Sequence, residues 1–302
     1  MAGYLHECYA RSLAEFGTPR YLAKSGAWIL ERTIPGINDR DAMSCYPLLC
    51  CRDWSKLRAD LNDIGQELVS LSVVTDPFGD YDEAWLRECF RDKIIPFKQH
   101  FIIDLQKPYE ESLSGNHRRN IRQASTAVQV EICREPLMYL NDWIDLYDHL
   151  IERHRIADIR QFSIRAFHDQ FRIPGLVVFR AHLNGITLGM LLWYRYGDIG
   201  YYHLAAYNKT GYELKASFAL FPYAIRYFTQ AGVKYLNLGA GAGLKDGKQD
   251  GLTRFKSGWS NTTRTAYFCG RIFDPERYEE ISRLRGGKAD GYFPVYRQGE
   301  FE

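Results

Sequence analysis

The chain has 302 residues, 46% of them hydrophobic and 25% charged, which excludes a mostly disordered protein and leaves room for two domains of common size. Its net charge of +2 neither supports nor excludes a nucleic-acid partner, which only local clustering of cations can indicate. Aromatic residues make up 15%, so cores and grooves are expected to be built from Tyr, Phe and Trp.

The N-terminal stretch "MAGYLHECYARSLAEFG" lacks a signal-peptide core, and no apolar run is long enough to span a bilayer. The seven cysteines are odd in number and form no CxxC or Cys/His ligand spacing. They read as reduced thiols of a cytoplasmic protein without a zinc site. His149 and His154 in "HLIERH" stand off a common helix face, so no metal site is expected.

In chain order, "AWILERTI" reads as a strand, "PGINDRD" as a loop, and "CYPLLCC" as another strand. Asp53 or Ser55 caps a helix in which Leu57, Leu61, Ile64 and Leu68 form one apolar stripe. "LVSLSVV" is a strand stopped by "TDPFGD", and a short helix, "DEAWLRECFRD", precedes the strand "FKQHFIIDL". Composition shifts at "QKPYEESLSGNHRRNIRQAS", where Ser114 or Asn116 caps a helix whose first two turns carry His117, Arg118, Arg119 and Arg122. Cations at a helix start oppose the macrodipole. The run is either a solvated face or a surface for a partner with phosphates.

Leu137, Leu140, Ile144, Tyr147 and Ile151 recur at helical spacing, and a second helix, "SIRAFHDQF", starts at a Ser163 cap. The strands "GLVVFRAHL" and "ITLGMLLWYRY" are joined by Asn184-Gly185, a hairpin signal, and Gly197-Asp198 turns into "IGYYHLAAY". An apolar helix, "KASFALFPYAIRYFTQAG", stops at Gly232; Pro222 within it implies a kink or a late start. "VKYLNLGA" and "RTAYFCGRIF" are further strands, and the tail "SRLRGGKADGYFPVYRQGEFE" reads as polar and loose.

That order of elements resembles an acyltransferase domain of the GNAT type. "GNHRRNIRQA", the hairpin with "GDIGYYHLAAYN", and "AGVKYLNLGAG" followed by "GLTRFKSGWS" resemble the Fem-type aminoacyltransferases more narrowly. The resemblance covers mainly Ser114 to Trp259; the first hundred residues match in layout and in "PGINDRDAMSCYPLL". It implies a mixed α/β protein of tandem GNAT-like acyltransferase domains. Residues 1–113 would be a degenerate copy and 114–302 the catalytic domain, with the extreme C-terminus free to return to the first.

The resemblance also implies the chemistry. Fem-type proteins take an amino acid from an aminoacyl-tRNA ester and form an amide on an amine acceptor, a peptidoglycan precursor or a natural-product intermediate. The lysine of their "FK" motif lies at the reaction centre; here it is Lys256, with Phe255 anchoring the strand. A preplaced ammonium stabilises the oxyanion of the tetrahedral intermediate, and an ester needs no nucleophilic Ser or Cys. Composition alone makes Lys256 a surface lysine on a strand beside a buried Phe255.

Other candidates are read from the residues themselves. The glycines Gly239, Gly241, Gly243 and Gly247 permit close backbone approach to a ligand, or simply form a loop. Asn237 stands where the relatives often have aspartate, which leaves no carboxylate base at that position. Tyr207 and Asn208, at a strand end, are placed to meet a substrate, whereas His203, on one face with Tyr201 and Tyr207, is a binding or a core residue. Arg118, Arg119 and Arg122, or Lys245 and Lys248, are the cations available to an RNA.

The acetyl-CoA relatives carry a pyrophosphate loop where this chain has "NKTGYELKAS", with one glycine and with Glu213 in place of a small residue. The expectation is therefore a monomeric, tRNA-dependent aminoacyltransferase acting on a small amine, with aminoacyl-tRNA as co-substrate and no further cofactor. An acyl-CoA N-acyltransferase and a catalytically silent binding protein are the alternatives.

Overall fold

The computed structural model describes residues 1–241, 251–286 and 291–300. In chain order they form α1 (Glu7–Arg11), β1 (Thr18–Leu22), β2 (Ala27–Thr33), β3 (Arg40–Ser44), α2 (Leu57–Ile64), β4 (Ser70–Val74), α3 (Glu83–Cys89) and β5 (Lys93–Asp104). There follow α4 (Gly115–Ala127), β6 (Gln129–Cys133), α5 (Leu140–His154), α6 (Ile164–Gln170), β7 (Leu176–Leu183), β8 (Ile186–Tyr196) and β9 (Ile199–Tyr207). The last are α7 (Lys209–Glu213), α8 (Ala216–Gln230), β10 (Tyr235–Asn237), α9 (Gly251–Ser257), β11 (Thr262–Ile272) and α10 (Pro275–Leu284).

Two compact units result. A central unit comprises Met1–Gly3, Gln99–Ala157 and Ser163–Arg264, and a terminal unit comprises Tyr4–Lys98, Asp158–Phe162 and Thr265–Glu302. The divisions at 98/99 and 264/265 differ from the 113/114 division read from the sequence.

In the central unit the strands run in the order β5-β10-β9-β8-β7-β6. β6 to β9 are antiparallel neighbours, β9 and β10 are parallel, and β10 and β5 are antiparallel. A parallel pair needs a crossover, and α8 supplies it. The hairpin between β7 and β8 turns at Asn184 and Gly185, both at positive φ (50° and 81°), as a tight turn of that kind demands. Ser114 and Ser163 cap α4 and α6 as expected, each accepting an amide N–H from three residues on. The core is aromatic: Phe179, Trp193, Phe221, Phe228 and Trp259 are all fully buried.

The terminal unit repeats the plan. Its order is β1-β2-β3-β4-β11, with β1 to β3 antiparallel, β3 and β4 parallel, and β4 and β11 antiparallel. Here α2 is the crossover. Leu57, Leu61 and Ile64 of α2 are buried as the stripe predicts, and Leu68 joins the same core from beyond the helix.

Three sequence expectations need correction, and of the two alternatives at Pro222 one is excluded. "CYPLLCC" is not a strand; it makes a single bridge, Leu49 to Thr75, after β3 has ended at Ser44. The apolar stripe of α5 is rotated: Leu140, Trp143, Leu146 and Tyr147 are its buried residues, while Leu137 is exposed. Helix α8 does not start late, since it runs from Ala216 with Pro222 inside it. The tail is not loose throughout: Arg297 grips the fully buried Asp41 through both carboxylate oxygens (2.6 and 2.8 Å), and Tyr296 bonds Ser70 (2.7 Å). A bidentate guanidinium–carboxylate pair satisfies two buried charges at once, a long-range contact that spacing cannot announce.

Candidate active site

The parallel ladder between β9 and β10 is short. It pairs Tyr235 with Ile199, Leu236 with Gly200 and Asn237 with Tyr201, and there it ends. β9 continues to Tyr207. The chain leaving β10 stays with β5 instead, for Leu238 N–H donates to Phe101 O (2.9 Å) and Phe101 N–H to Gly239 O (3.0 Å). The two strands therefore part after Asn237 and Tyr201. Asn237 fixes the departure: its buried Oδ1 accepts the Gly239 N–H (2.9 Å) and pairs with His100 Nδ1 (3.0 Å). Gly239 takes φ +72°, a left-handed conformation that glycine adopts without strain.

Lys256 stands at this parting. It is 7% exposed, and its Nζ donates to Ala240 O at 2.6 Å. The same ammonium lies 5.7 Å from the ring centre of Tyr202, the first β9 residue past the ladder. A Cβ on Gly239 would come within 3.3 Å of that nitrogen. Lys256 is thus no surface charge. A buried ammonium is costly unless hydrogen-bonded and paired with favourable dipoles, and here a carbonyl and an aromatic face serve it.

"GLTRFKS" is a helix, α9, and not the strand expected from the sequence. Its seven residues are too few to be stable alone, so packing holds it. Phe255 anchors it against Phe221 (ring centres 4.9 Å apart) and Phe218 (5.4 Å), and the following Trp259 stacks on Phe221 (5.2 Å). The residue that spacing alone overlooked is His117. It is buried on α4, and its Nε2 reaches Phe255 O at 3.2 Å. The sequence groups it with the arginines beside it, but burial lowers its pKa and removes it from the cationic face. Its signal was its place three residues after the Ser114 cap, on the buried side with Asn120 and Ala124.

Other candidates fall elsewhere. A bulge in the β8–β9 pairing, where Trp193 faces Tyr202 and Leu192 faces Leu204, leaves His203 as an extra residue. The bulge breaks the alternation that put His203 and Tyr207 on one face. His203 turns to Tyr194 (4.8 Å between rings) and Gln170 (3.0 Å), and burial lowers its pKa to about 3. Tyr207 instead joins the aromatic core with Tyr202, edge-on to Tyr212 at 5.4 Å, its phenol pushed well above the ordinary value by burial. Asn208 caps α7, accepting Gly211 N–H (2.8 Å) and donating to Thr187 O (2.9 Å), so both ends of its amide are engaged in structure.

Arg118, Arg119 and Arg122 are exposed on α4, and none forms an ion pair among the described residues; Arg119 bonds Asn116 Oδ1 (2.9 Å). Gly241 is half-buried past Ala240, while Gly243, Gly247, Lys245 and Lys248 lie outside the described residues. Among the described residues no cluster of three or more His, Cys, Asp or Glu could hold a metal ion, and no helix is long and apolar enough to cross a membrane.

Residues 112–257 match the family described as the acetyltransferase (GNAT) domain, so this segment is a GNAT-type acyltransferase domain. No curated protein matches the sequence. Among solved structures, FemX shares the fold at a TM-score of 0.68 with 13% identity, covering 91% of this chain and 93% of that one. L-PGS from Bacillus licheniformis follows at 0.59 and 15%, covering 90% and 93%. The C-terminal domain of a putative lysylphosphatidylglycerol synthetase from Agrobacterium fabrum has 0.57 and 11%, covering 89% and 88%. Over nearly their whole lengths these chains share one architecture, the one the tandem GNAT-like expectation describes.

Proposed function

We propose that the protein transfers an aminoacyl group from an aminoacyl-tRNA ester to a small amine, forming an amide, with Lys256 as the electrostatic stabiliser. The observation that carries the reading is the buried Lys256 ammonium where β9 and β10 part, bonded to Ala240 O at 2.6 Å. An acyl group lying in that opening would bring its carbonyl oxygen toward the cation. Attack by the neutral amine forms the new C–N bond and leaves an oxyanion, which a preorganised ammonium in a water-poor site stabilises. Collapse breaks the ester C–O bond, and the proton shed by the amine ends on the departing ribose oxygen. No covalent enzyme intermediate is needed, because the ester is already activated.

Two features support RNA over CoA as the carrier. The stretch before α8 that would cradle a pyrophosphate is itself folded as α7, and its Gly211 amide is spent on Asn208 Oδ1. Gly211 is also pressed on β8, where a Cβ would meet Leu188 O at 2.1 Å, so that glycine answers to packing. Exposed Glu213 adds a negative charge there. By contrast, α4 presents Arg118, Arg119 and Arg122 without carboxylate partners among the described residues, and carries no acidic residue in its first turn. Phosphates would supply the missing negative charge.

The fold shared with FemX and with a putative lysylphosphatidylglycerol synthetase, whose name denotes a lysyl product, fits the same class of reaction. The test is incubation with a pool of charged tRNA and candidate amines. RNase added beforehand should abolish amide formation, and removal of CoA should leave it intact. Transfer that survives RNase and requires CoA would overturn the donor assignment.

A further inference from the structure

Of the buried titratable groups outside the reacting atoms, His117 has the most fully determined surroundings. Phe255 O can only accept, so the ring nitrogen 3.2 Å from it, Nε2, carries the hydrogen. On the other side, Ser114 Oγ accepts the His117 backbone N–H (3.1 Å) and lies 3.0 Å from Nδ1. The serine hydroxyl hydrogen is then left to donate to Nδ1. In this arrangement each hydrogen in the chain Ser114–His117–Phe255 has a partner while the imidazole stays neutral.

The ring is also enclosed. Phe218 and Trp259 meet it edge-on at 5.2 and 5.1 Å, and Phe255 lies at 6.0 Å. At the end of α9, a Cβ on Gly258 would fall 2.1 to 2.7 Å from three ring atoms, so the imidazole occupies the space a side chain there would fill. Burial disfavours the charged ring and lowers its pKa, and the neutral ring keeps Nδ1 as the acceptor for the Ser114 hydroxyl.

We infer that His117 is a positioning residue: as a neutral, Nε2-protonated latch it ties α9 to α4 and thereby holds the Lys256 ammonium at the opening between β9 and β10. The contact acts one residue from Lys256, on the Phe255 carbonyl. A helix of seven residues has little stability of its own, so one directed hydrogen bond to it sets the place of its side chains. The catalytic consequence rests on the function proposed above; the latch itself does not.

The test compares the wild-type protein with His117→Phe, which fills the space without a donor, and His117→Gln, whose amide N–H can reach the same carbonyl. Nitrogen NMR of the wild type should report the Nε2–H tautomer. In His117→Phe the amides of Gly258, Trp259 and Ser260 should exchange at least about tenfold faster while those of α8 stay protected. Transfer should fall about tenfold in kcat with little change in KM, and His117→Gln should recover it to within about threefold. An Nδ1–H tautomer, or α9 exchange unchanged in His117→Phe, overturns the latch. If the wild type shows no transfer from charged tRNA, the proposed function falls while the tautomer and exchange results still decide the latch.

Discussion

The two units share a strand plan and differ at the same place in it. In the terminal unit the parallel pair β3–β4 joins Ala42 to Leu71 and Met43 to Ser72, and the chain then closes again further along. Leu49 bridges to Thr75, and backbone bonds run from Leu49 N–H to Val74 O (2.6 Å) and from Asp76 N–H to Leu49 O (3.0 Å). In the central unit the equivalent pair, β9–β10, parts at Asn237 and Tyr201 and is not rejoined among the described residues. The helix that follows tells the same story. The inward residues of α3 are Leu86 and Cys89, whereas those of the α9 region, at the same spacing, are Lys256 and Trp259. One frame thus carries a parallel pair that closes again in one unit and strands that part beside a buried cation in the other. Under the proposed function, the difference separates residues that serve stability from residues placed for chemistry.

Substitutions at the two inward positions should break that symmetry most. Leu86→Ala, in a fully buried site, should lower unfolding free energy by about 2–5 kcal/mol, as large-to-small core changes do. Lys256→Met keeps volume and removes a buried charge, so its stability should shift by less than about 1 kcal/mol; denaturant titration of both variants checks the contrast. Gly239→Ala comes next. At φ +72° and 3.3 Å from the Lys256 nitrogen, the added methyl should cost about 1 kcal/mol and reduce kcat by about tenfold.

Acid should act on the central unit through its buried histidines. The pKa of His203 is lowered by burial from 6.5 to about 3, and that of His117 is lowered as well. Between those values the unfolded chain binds more protons than the folded one, so stability is full above pH 6.5 and is lost as pH falls toward 3. His203→Gln should flatten the decline seen in melting temperature, and an unchanged decline would assign the acid sensitivity elsewhere. The smallest effect is expected at Asn208. Asn208→Ala removes the cap of α7 and should cost about 1 kcal/mol with kcat unaltered, which would separate it from a substrate-contacting role.

Much of this was legible in the sequence for local reasons. Asn184-Gly185, Ser114 and Ser163 act within a few residues, and each does in the structure what its type predicts. Lys256 was legible only through the resemblance, because nothing in "GLTRFKSGWS" indicates that the helix end turns inward. The short α9 offered no periodic signal, and its packing partners Phe218, Phe221 and His117 lie far away in the chain. The β9 bulge was likewise hidden: alternation cannot be counted past an extra residue whose presence depends on the neighbouring strand. The tail misled for a related reason, since Arg297 reads as polar until Asp41, buried on β3, is seen opposite it.

The central claim is that the Lys256 ammonium stabilises charge during acyl transfer. The most direct measurement is single-turnover amide formation from an aminoacyl-tRNA ester by wild type and Lys256→Met, at saturating amine and with melting curves run alongside. The account predicts that Lys256→Met melts within a few degrees of wild type and transfers at least about a hundredfold more slowly. Transfer at the wild-type rate by a folded Lys256→Met protein would contradict it.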